Sequence, residues 1–268
     1  MPPDSPSLPS PADPDPTGTG AGGPGRDGAL DRRAVLAALR ARVARIERSG
    51  LTEREPPPAI SLCPGMDEAL PGGGLARASL HEILSDSGGA ATGFAALLLA
   101  RSGGTVFWIA REVDAWPPGL MRFGLSPSQL VLAQPQTAAD ALWATEEALR
   151  CPAVSGVLLL WENPDATAVR RLQLAAETGG GIGLLLRETK DDAGSDSGPS
   201  LATTRWRVTG RAGGAPHNLG DPQWTLDLLR CRGGKPRRWN ATWRMGTEEL
   251  VLDDEAEGAE APRRSRRH

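Results

Sequence analysis

Short apolar runs alternate with amphipathic stretches through the middle of the chain, between residues 80 and 187. Runs rich in Val, Ile and Leu predict strands at Leu80–Leu84, Thr105–Ala110, Leu130–Ala133, Gly156–Trp161 and Ile182–Arg187. Apolar residues at helical spacing predict helices at Thr92–Arg101, Thr137–Arg150 and Asp165–Thr178. Because uninterrupted apolar strands suit a parallel sheet that is covered on both faces, we expect an α/β fold with a mostly parallel central sheet flanked by helices.

The pattern changes after Arg187. Residues 188–200 are polar and glycine-rich, which predicts a loop. The following segments TRWRVTG, QWTLDLLRCR and RRWNATWR alternate with period two, as half-buried strands do. The last two flank the turn Gly233-Gly234-Lys235-Pro236, and they predict an antiparallel hairpin at the end of the sheet.

The ends of the chain do not show the same periodicity. Residues 1–28 are rich in proline and glycine and predict a disordered leader. Residues 29–49 predict an amphipathic basic helix, which is either an ordinary helix with a solvated face or an arm that contacts a partner or phosphate. We expect a linker over 50–64, a folded domain over 65–252, and a disordered acidic and then basic tail over 253–268.

Composition and residue spacing argue against several classes of protein, namely disulfide-stabilised, zinc-binding and membrane-spanning ones. The net charge of −3 names no partner by itself. The three cysteines, Cys63, Cys151 and Cys231, lie far apart, which argues against a disulfide framework or a zinc site and fits a reducing cytoplasm. No apolar run is long enough to span a membrane, so we expect no membrane partner. Because His81 and His217 have no acid or cysteine partners at useful spacing, we also expect no metal centre.

The segment from Leu80 to Leu99 has the layout of a phosphate-binding loop, in which a strand, a small-residue loop and a helix follow one another. The motif G-x-x-x-x-G-K-[ST] has a lysine where this chain has Ala91, and Thr92 keeps the hydroxyl that would contact Mg²⁺. Ser85 replaces the first glycine, while Gly88 and Gly89 still let the backbone curl. The sequence therefore predicts a vestigial nucleotide site with no resident cofactor, which leaves room only for weak Mg-ATP binding.

The order of elements over about residues 65–245 resembles the core of the RecA recombinase. The resemblance is carried by ALPGGGLARASLHEIL at 69–84, by GTVFWIAREVDAW at 104–116, and by the Gln-Pro-x-Thr pattern at Gln134, Pro135 and Thr137. More specifically, the lysine-free loop, the WxxR-E segment and LLLW together identify the chain as a member of the ImuA family. These are short RecA-like proteins encoded with ImuB and an error-prone C-family polymerase.

The resemblance implies where the other catalytic groups should lie. Glu112 falls near the acid that orients the attacking water in RecA, although a glutamate at a strand end is more often just exposed. The aspartate that holds Mg²⁺ should end the strand at residues 157–160, but Trp161 stands there and Glu162 follows it. The loop at 188–200 stands where RecA has a DNA-binding loop, but here that loop is acidic and would repel phosphate.

The family implies a non-catalytic accessory protein in damage-inducible (SOS) mutagenic translesion DNA synthesis, which recruits or bridges ImuB, RecA and the polymerase. It implies a cytoplasmic protein that joins the nucleoid after damage. Two alternatives stay open: a weak RecA-type nucleotide-dependent ATPase or switch, and a cell-division inhibitor, which is suggested by the SulA label of the wider family.

Basic residues and tryptophans interleave in the C-terminal strands. Arginine with tryptophan suits single-stranded DNA, through charge and base stacking, and it also suits a protein interface. A third alternative is a hairpin whose tryptophans fill the core while its arginines face water. The candidate contacts are Arg205, Arg207, Arg232, Lys235, Arg237, Arg238, Trp239, Trp243 and Arg244.

Overall fold

A computed structural model describes residues 58–85, 89–112, 115–161, 164–188, 200–211 and 220–253. All of them belong to one compact unit spanning Pro56–His268. The predicted leader, the basic helix, most of the 188–200 loop and nearly all of the tail lie outside the described residues. So do two positions of the predicted nucleotide site, Gly88 and Glu162.

The described residues form strands and helices in an alternating order that then becomes all-strand. The strands are β1 (Ser79–Ser85), β2 (Thr105–Ala110), β3 (Leu130–Ala133), β4 (Val154–Leu160), β5 (Ile182–Glu188), β6 (Thr204–Arg211), β7 (Gln223–Cys231), β8 (Arg237–Arg244) and β9 (Glu249–Leu252). The helices are α1 (Pro64–Asp67), α2 (Gly89–Ser102), α3 (Pro117–Met121), α4 (Ala138–Arg150) and α5 (Ala166–Gly179), with a 3₁₀ turn at Pro127–Gln129.

Within the described ranges the strands form one sheet of nine, in the order β3-β2-β4-β5-β1-β6-β7-β8-β9. Strands β1 to β6 pair in parallel, for example Leu80 with Gly183 between β1 and β5. Strands β6 to β9 pair antiparallel, and β7 with β8 is the predicted hairpin. The predicted fold class, a mostly parallel α/β sheet that ends in an antiparallel hairpin, is confirmed.

Local sequence signals set most helix boundaries. Thr137 caps α4 by accepting a hydrogen bond from the backbone N–H of Asp140 at 3.1 Å, and Asp165 caps α5 through the N–H of Ala168 at 2.7 Å. Helix α5 ends at Gly179 and is capped by Gly180, whose φ of 83° is left-handed. Helix α2 begins at Gly89, three residues before the predicted start near Thr92.

The sheet separates two apolar clusters, because successive side chains of each strand point to opposite faces. On one face, Leu80 and Leu159 pack with residues of α4 and α5. On the other face, Ile83 and Leu158 pack with α2 and with the aromatic side chains of the antiparallel strands. Those aromatic rings form a connected series of contacts between Phe94, Phe123, Trp206, Trp224, Trp239 and Trp243.

The last residues of the predicted linker belong to the folded body. Ile60 and Leu62 are buried in the core, and Ile60 exchanges two backbone hydrogen bonds of 2.8 Å with Leu75. The segment is anchored further by Arg101, which donates to the carbonyl of Ser61 at 2.9 Å. The described part of the fold therefore begins before residue 65.

Candidate functional site

The carboxyl ends of the parallel strands mark where a ligand would bind in a sheet of this type. Strand β1 reaches this edge at Ser85, β2 at Ala110 and β4 at Leu160, and the last two are partners in the ladder. Helix α2 begins directly above the edge at Gly89. The structure therefore brings Ser85, Gly89 and Glu112, described positions of the predicted nucleotide site, to the ends or starts of elements along one edge of the sheet, which we call the carboxyl edge.

The first turn of α2 lacks a phosphate-binding side chain. Gly89 is exposed, and a Cβ there would meet no atom within 4 Å, so the backbone at the helix start is open. Ala91 occupies the lysine position and is fully buried in the apolar cluster under the helix, while Thr92 is partly buried. Since α2 begins before Ala91, this position is already part of the helix-to-sheet packing.

An arginine–tryptophan pair occupies the end of the central strands. The guanidinium of Arg111, after β2, lies over the ring of Trp161, after β4, with 4.8 Å between its central carbon and the ring centroid. Glu112 is exposed beside Arg111. Trp161 is the residue at which the sequence resemblance implies a metal-binding aspartate, and the following Glu162 lies outside the described residues. Within the described ranges, no three His, Cys, Asp or Glu side chains group closely enough to hold a metal ion.

A buried charged network lies on the face of the sheet that α5 covers. Glu82 of β1 accepts from Arg205 Nε of β6 at 2.7 Å and also from Arg187 of β5. Burial alone would raise the pKa of Glu82, but the hydrogen bonds from Arg205 and Arg187 outweigh it and hold the pKa below its ordinary value. These three side chains line a cavity of about 90 Å³ under the start of α5. Sequence reasoning missed this network, although a charged residue within a predicted buried strand is the signal for it.

A neutral histidine sits beside this network. His81 is fully buried, its Nδ1 lies 2.8 Å from Thr204 Oγ1, and its Nε2 lies 2.8 Å from the carbonyl oxygen of Ala76. Thr204 Oγ1 also accepts from Trp206 Nε1 at 2.8 Å, so its hydroxyl proton is free to go to Nδ1. The proton of the imidazole is thus assigned to Nε2. Burial lowers the pKa of His81 to about 4, so the ring is a structural link rather than an acid or base at neutral pH.

The candidate nucleic-acid contacts separate into three groups. Trp239 and Trp243 are 3% and 1% exposed, so their rings belong to the core and are not available to stack on bases. The prediction of base stacking by these two residues is contradicted, and the alternative in which they fill the core holds. The reason is the period-two alternation of β8, which turns Trp239, Ala241 and Trp243 together onto the covered face.

The second group consists of arginines that already have partners. Arg205 is buried against Glu82, and Arg207 is partly buried and also engaged. Arg238 forms a two-point ion pair with Asp227, whose second hydrogen bond is 3.0 Å, and Arg244 lies 3.3 Å from Asp221. These side chains stabilise the polar face of the antiparallel strands.

The third group is exposed and lies at the turn of the β7–β8 hairpin. It contains Arg232, Lys235 and Arg237, to which the structure adds Arg230. Arg230 and Arg232 donate only to backbone carbonyls, of Ala202 at 3.4 Å and Leu201 at 3.3 Å. None of the four forms a salt bridge with another described residue. We call this set, Arg230, Arg232, Lys235 and Arg237, the hairpin tip.

Comparison with known proteins supplies the family. No profile of a known protein family matches the chain. Two curated relatives, both called Protein ImuA and from Caulobacter vibrioides strains NA1000 / CB15N and ATCC 19089 / CIP 103742 / CB 15, are each 36% identical over 204 residues. Each match covers 69% of this chain and 84% of the relative. None of the helices in the described residues is long and apolar enough to cross a membrane. At this identity and coverage, the chain belongs to the ImuA family.

Proposed function

We propose that this protein is a non-catalytic accessory factor of the ImuA–ImuB mutagenesis system, acting in translesion DNA synthesis after damage. In this role it recruits or bridges ImuB, RecA and an error-prone polymerase, in the cytoplasm and at the nucleoid. The observation that carries the proposal is Ala91, a core residue at the place of the phosphate-binding lysine.

The missing groups matter more for catalysis than for binding. Losing one charged contact to a phosphate costs about 2–3 kcal/mol of binding free energy. Losing it in the transition state costs at least as much again in rate, because that is where charge develops on the transferring phosphoryl group. With Trp161 in place of a metal-binding acid, both halves of the usual electrostatic support are absent from the described residues. The role that remains for the fold is to bind other molecules through its surface.

One surface suits a protein partner. Strand β3 is an outer strand of the sheet and is only four residues long. Val131 and Leu132 point to opposite faces and are 39% and 44% exposed. Edge strands are usually protected from pairing with other chains by charged residues, by prolines or by short length. No charged residue occurs between Arg122 and Asp140, so β3 has only its short length and its flanking prolines. Such an edge can accept a strand from another protein, which supports docking of a partner such as ImuB there.

Complementation of damage-induced mutagenesis in cells lacking the protein tests the proposal. We expect Thr92→Ala and Glu112→Ala to restore mutagenesis fully, because neither residue would act in catalysis. We expect Val131→Lys with Leu132→Lys to abolish it and to abolish co-purification of ImuB, whereas Leu174→Lys, on the exposed face of α5, serves as the matched control. Loss of mutagenesis in a folded Thr92→Ala variant would refute the non-catalytic role.

A further inference from the structure

The hairpin tip concentrates free positive charge in a short stretch. Its four cations lie within eight residues, from Arg230 to Arg237. No Asp or Glu occurs between Asp227 and Glu248, and the neighbouring position across the ladder from Arg230 is Arg205. Elsewhere on these strands, Arg238 has Asp227 and Arg211 has Asp253 as a carboxylate partner. The charge at the hairpin tip is therefore available to an external anion.

The hairpin tip lies at the opposite end of the sheet from the carboxyl edge. Thr204, at the start of β6, pairs with Cys231 at the end of β7, and His81 near the start of β1 pairs with Thr204. The turn after Cys231 therefore projects beyond the amino ends of the parallel strands. Ser85 at the carboxyl edge is level with Val208 of β6 and Leu226 of β7, so about 17 Å along β7 separate that edge from Cys231, where the tip begins. An anion held at the tip would not contact a nucleotide at the other edge.

The surroundings of the hairpin tip offer charge without aromatic rings. The tryptophans of β6 to β8 all face the covered side of the sheet. The exposed tryptophans among the described residues, Trp116 and Trp143, lie before α3 and in α4, outside the hairpin. Leu201, whose carbonyl accepts from Arg232, is the exposed large apolar side chain at this place. Protein interfaces are usually built around buried aromatic or apolar anchors, so the surface fits a phosphate backbone better than a protein.

We propose that the hairpin tip binds the phosphate backbone of nucleic acid without stacking on or reading the bases. A duplex presents about six negative charges over 10 Å of its axis, which is a density that four clustered cations can match. Without a stacking platform, single strands gain nothing over duplexes, and the contact is independent of sequence and of nucleotide. The inference rests on the proposed function in one respect: a factor in DNA synthesis works beside DNA.

Fluorescence anisotropy of the full chain with a labelled 25-base-pair duplex tests the proposal, repeated with oligo-dT and an abasic single strand of equal length. We expect the duplex to bind at least as tightly as oligo-dT, and the abasic strand to match oligo-dT within about twofold. If all four cations contact phosphates, the slope of log K against log salt for the duplex is about −3.6. Arg232→Ala with Arg237→Ala should reduce it to about −1.8 and weaken binding roughly tenfold or more at low salt. Mg-ATP should change nothing.

The matched control is Arg122→Ala with Arg170→Ala, which removes the same charge from exposed positions on other elements. We expect this variant to bind DNA like the unaltered chain. An unchanged slope in the Arg232, Arg237 variant, or a tenfold loss on the abasic strand, would overturn the proposal. Retained DNA affinity with lost capture of ImuB would instead make the hairpin tip a protein contact and would also overturn it. None of these results bears on Thr92 or Val131, so the proposed function is judged separately.

Discussion

The carboxyl edge and the hairpin tip are built from the same sheet, yet they differ in how their charges are treated. At the carboxyl edge, the lysine position holds the buried Ala91, and Arg111 lies on the ring of Trp161. At the hairpin tip, cations such as Arg232 and Lys235 stand exposed with no carboxylate among their described contacts. In the proposed function, the edge where nucleotide chemistry would occur lacks a phosphate-binding lysine, while the far end of the sheet presents several exposed cations.

The difference shows that arginine content alone says little about binding. Arg205 lies on β6 and Arg232 directly follows β7, but Arg205 forms an ion pair with the buried Glu82 while Arg232 is exposed to solvent. A buried ion pair fixes strands in place, whereas an exposed cation is free to meet a ligand. The following changes separate structural charges from those available for binding.

The largest effect should come from Glu82→Ala. The substitution would leave Arg187 and Arg205 without their shared carboxylate inside the sheet. Breaking a buried ion pair by removing one partner costs about 3–5 kcal/mol. We expect the free energy of unfolding in urea to fall by about that amount, whereas Arg232→Ala at the hairpin tip should change it by no more than about 0.5 kcal/mol. Equal effects of the two variants would contradict the division between structural and free charges.

A pH effect should follow from His81. Because burial lowers its folded pKa to about 4 from an ordinary value of 6.5, the unfolded chain binds the proton more readily. The stabilisation is complete above pH 6.5 and is lost as the pH falls towards 4, by about 3 kcal/mol in all. Urea unfolding between pH 7.5 and 5 samples most of this loss before Glu82 begins to titrate.

The matched variant for this experiment is His81→Gln. It should be less stable at neutral pH but should show a flatter pH dependence between 7.5 and 5. The other two histidines, His217 and His268, lie outside the described residues and stay in place as internal controls. A variant that keeps the full pH dependence would show that His81 is not the titrating group.

A smaller effect is expected for Ala91→Lys, which restores the motif residue at the carboxyl edge. Ala91 is a fully buried residue of α2, so the longer lysine side chain must displace its neighbours or turn outward. Overpacking of this kind costs about 1–3 kcal/mol. We expect a lower midpoint in thermal unfolding and no gain of ATP hydrolysis, because in the proposed function the metal-binding acid expected at Trp161 is also missing. Hydrolysis by this variant would show that the lysine was the only missing group.

The smallest change concerns Trp108 of β2. Its ring is fully buried, and its Nε1 has no hydrogen-bond partner among the described residues. An unsatisfied buried donor costs free energy. Trp108→Phe removes that donor, which stabilises the fold, but it also buries a smaller ring, which destabilises it. We expect the stability to change by less than about 1 kcal/mol, whereas Trp108→Ala should lose about 3–5 kcal/mol. A large loss with phenylalanine would imply that the indole N–H has a partner after all.

Hydrophobic periodicity was enough to predict most of the fold. The strands Thr105–Ala110, Leu130–Ala133 and Arg237–Arg244 have the predicted bounds, and the other predicted strands differ by no more than two residues at either end. Strand β9 was not predicted. These runs are short and apolar, and burial on both faces leaves them few alternatives. The start of α2 was misplaced because the run Gly89–Gly93 has no capping side chain to mark a boundary, while its alanines favour helix.

The candidate site was harder to predict from the sequence than the fold was. Alternation in TRWRV correctly separates Arg205 from Trp206, but it cannot tell that the partner of Arg205 is Glu82, 123 positions away. The interleaved arginines and tryptophans of β8 suggested one composite surface, yet Arg238 and Arg244 lie on the opposite face of the strand from Trp239 and Trp243. Arg237 lies on the tryptophan face but is exposed at the first position of the strand. Which arginines are free depends on carboxylates contributed by other strands, so it becomes visible only with the sheet assembled.

The most direct test of the account is steady-state hydrolysis of Mg-ATP by the full chain, measured with and without DNA and alongside Thr92→Ala. The account predicts no turnover above the protein-free background in any of these reactions, and no difference between the two proteins. Turnover by the unaltered chain that Thr92→Ala abolishes would contradict it, since a working phosphate site would then exist at the carboxyl edge.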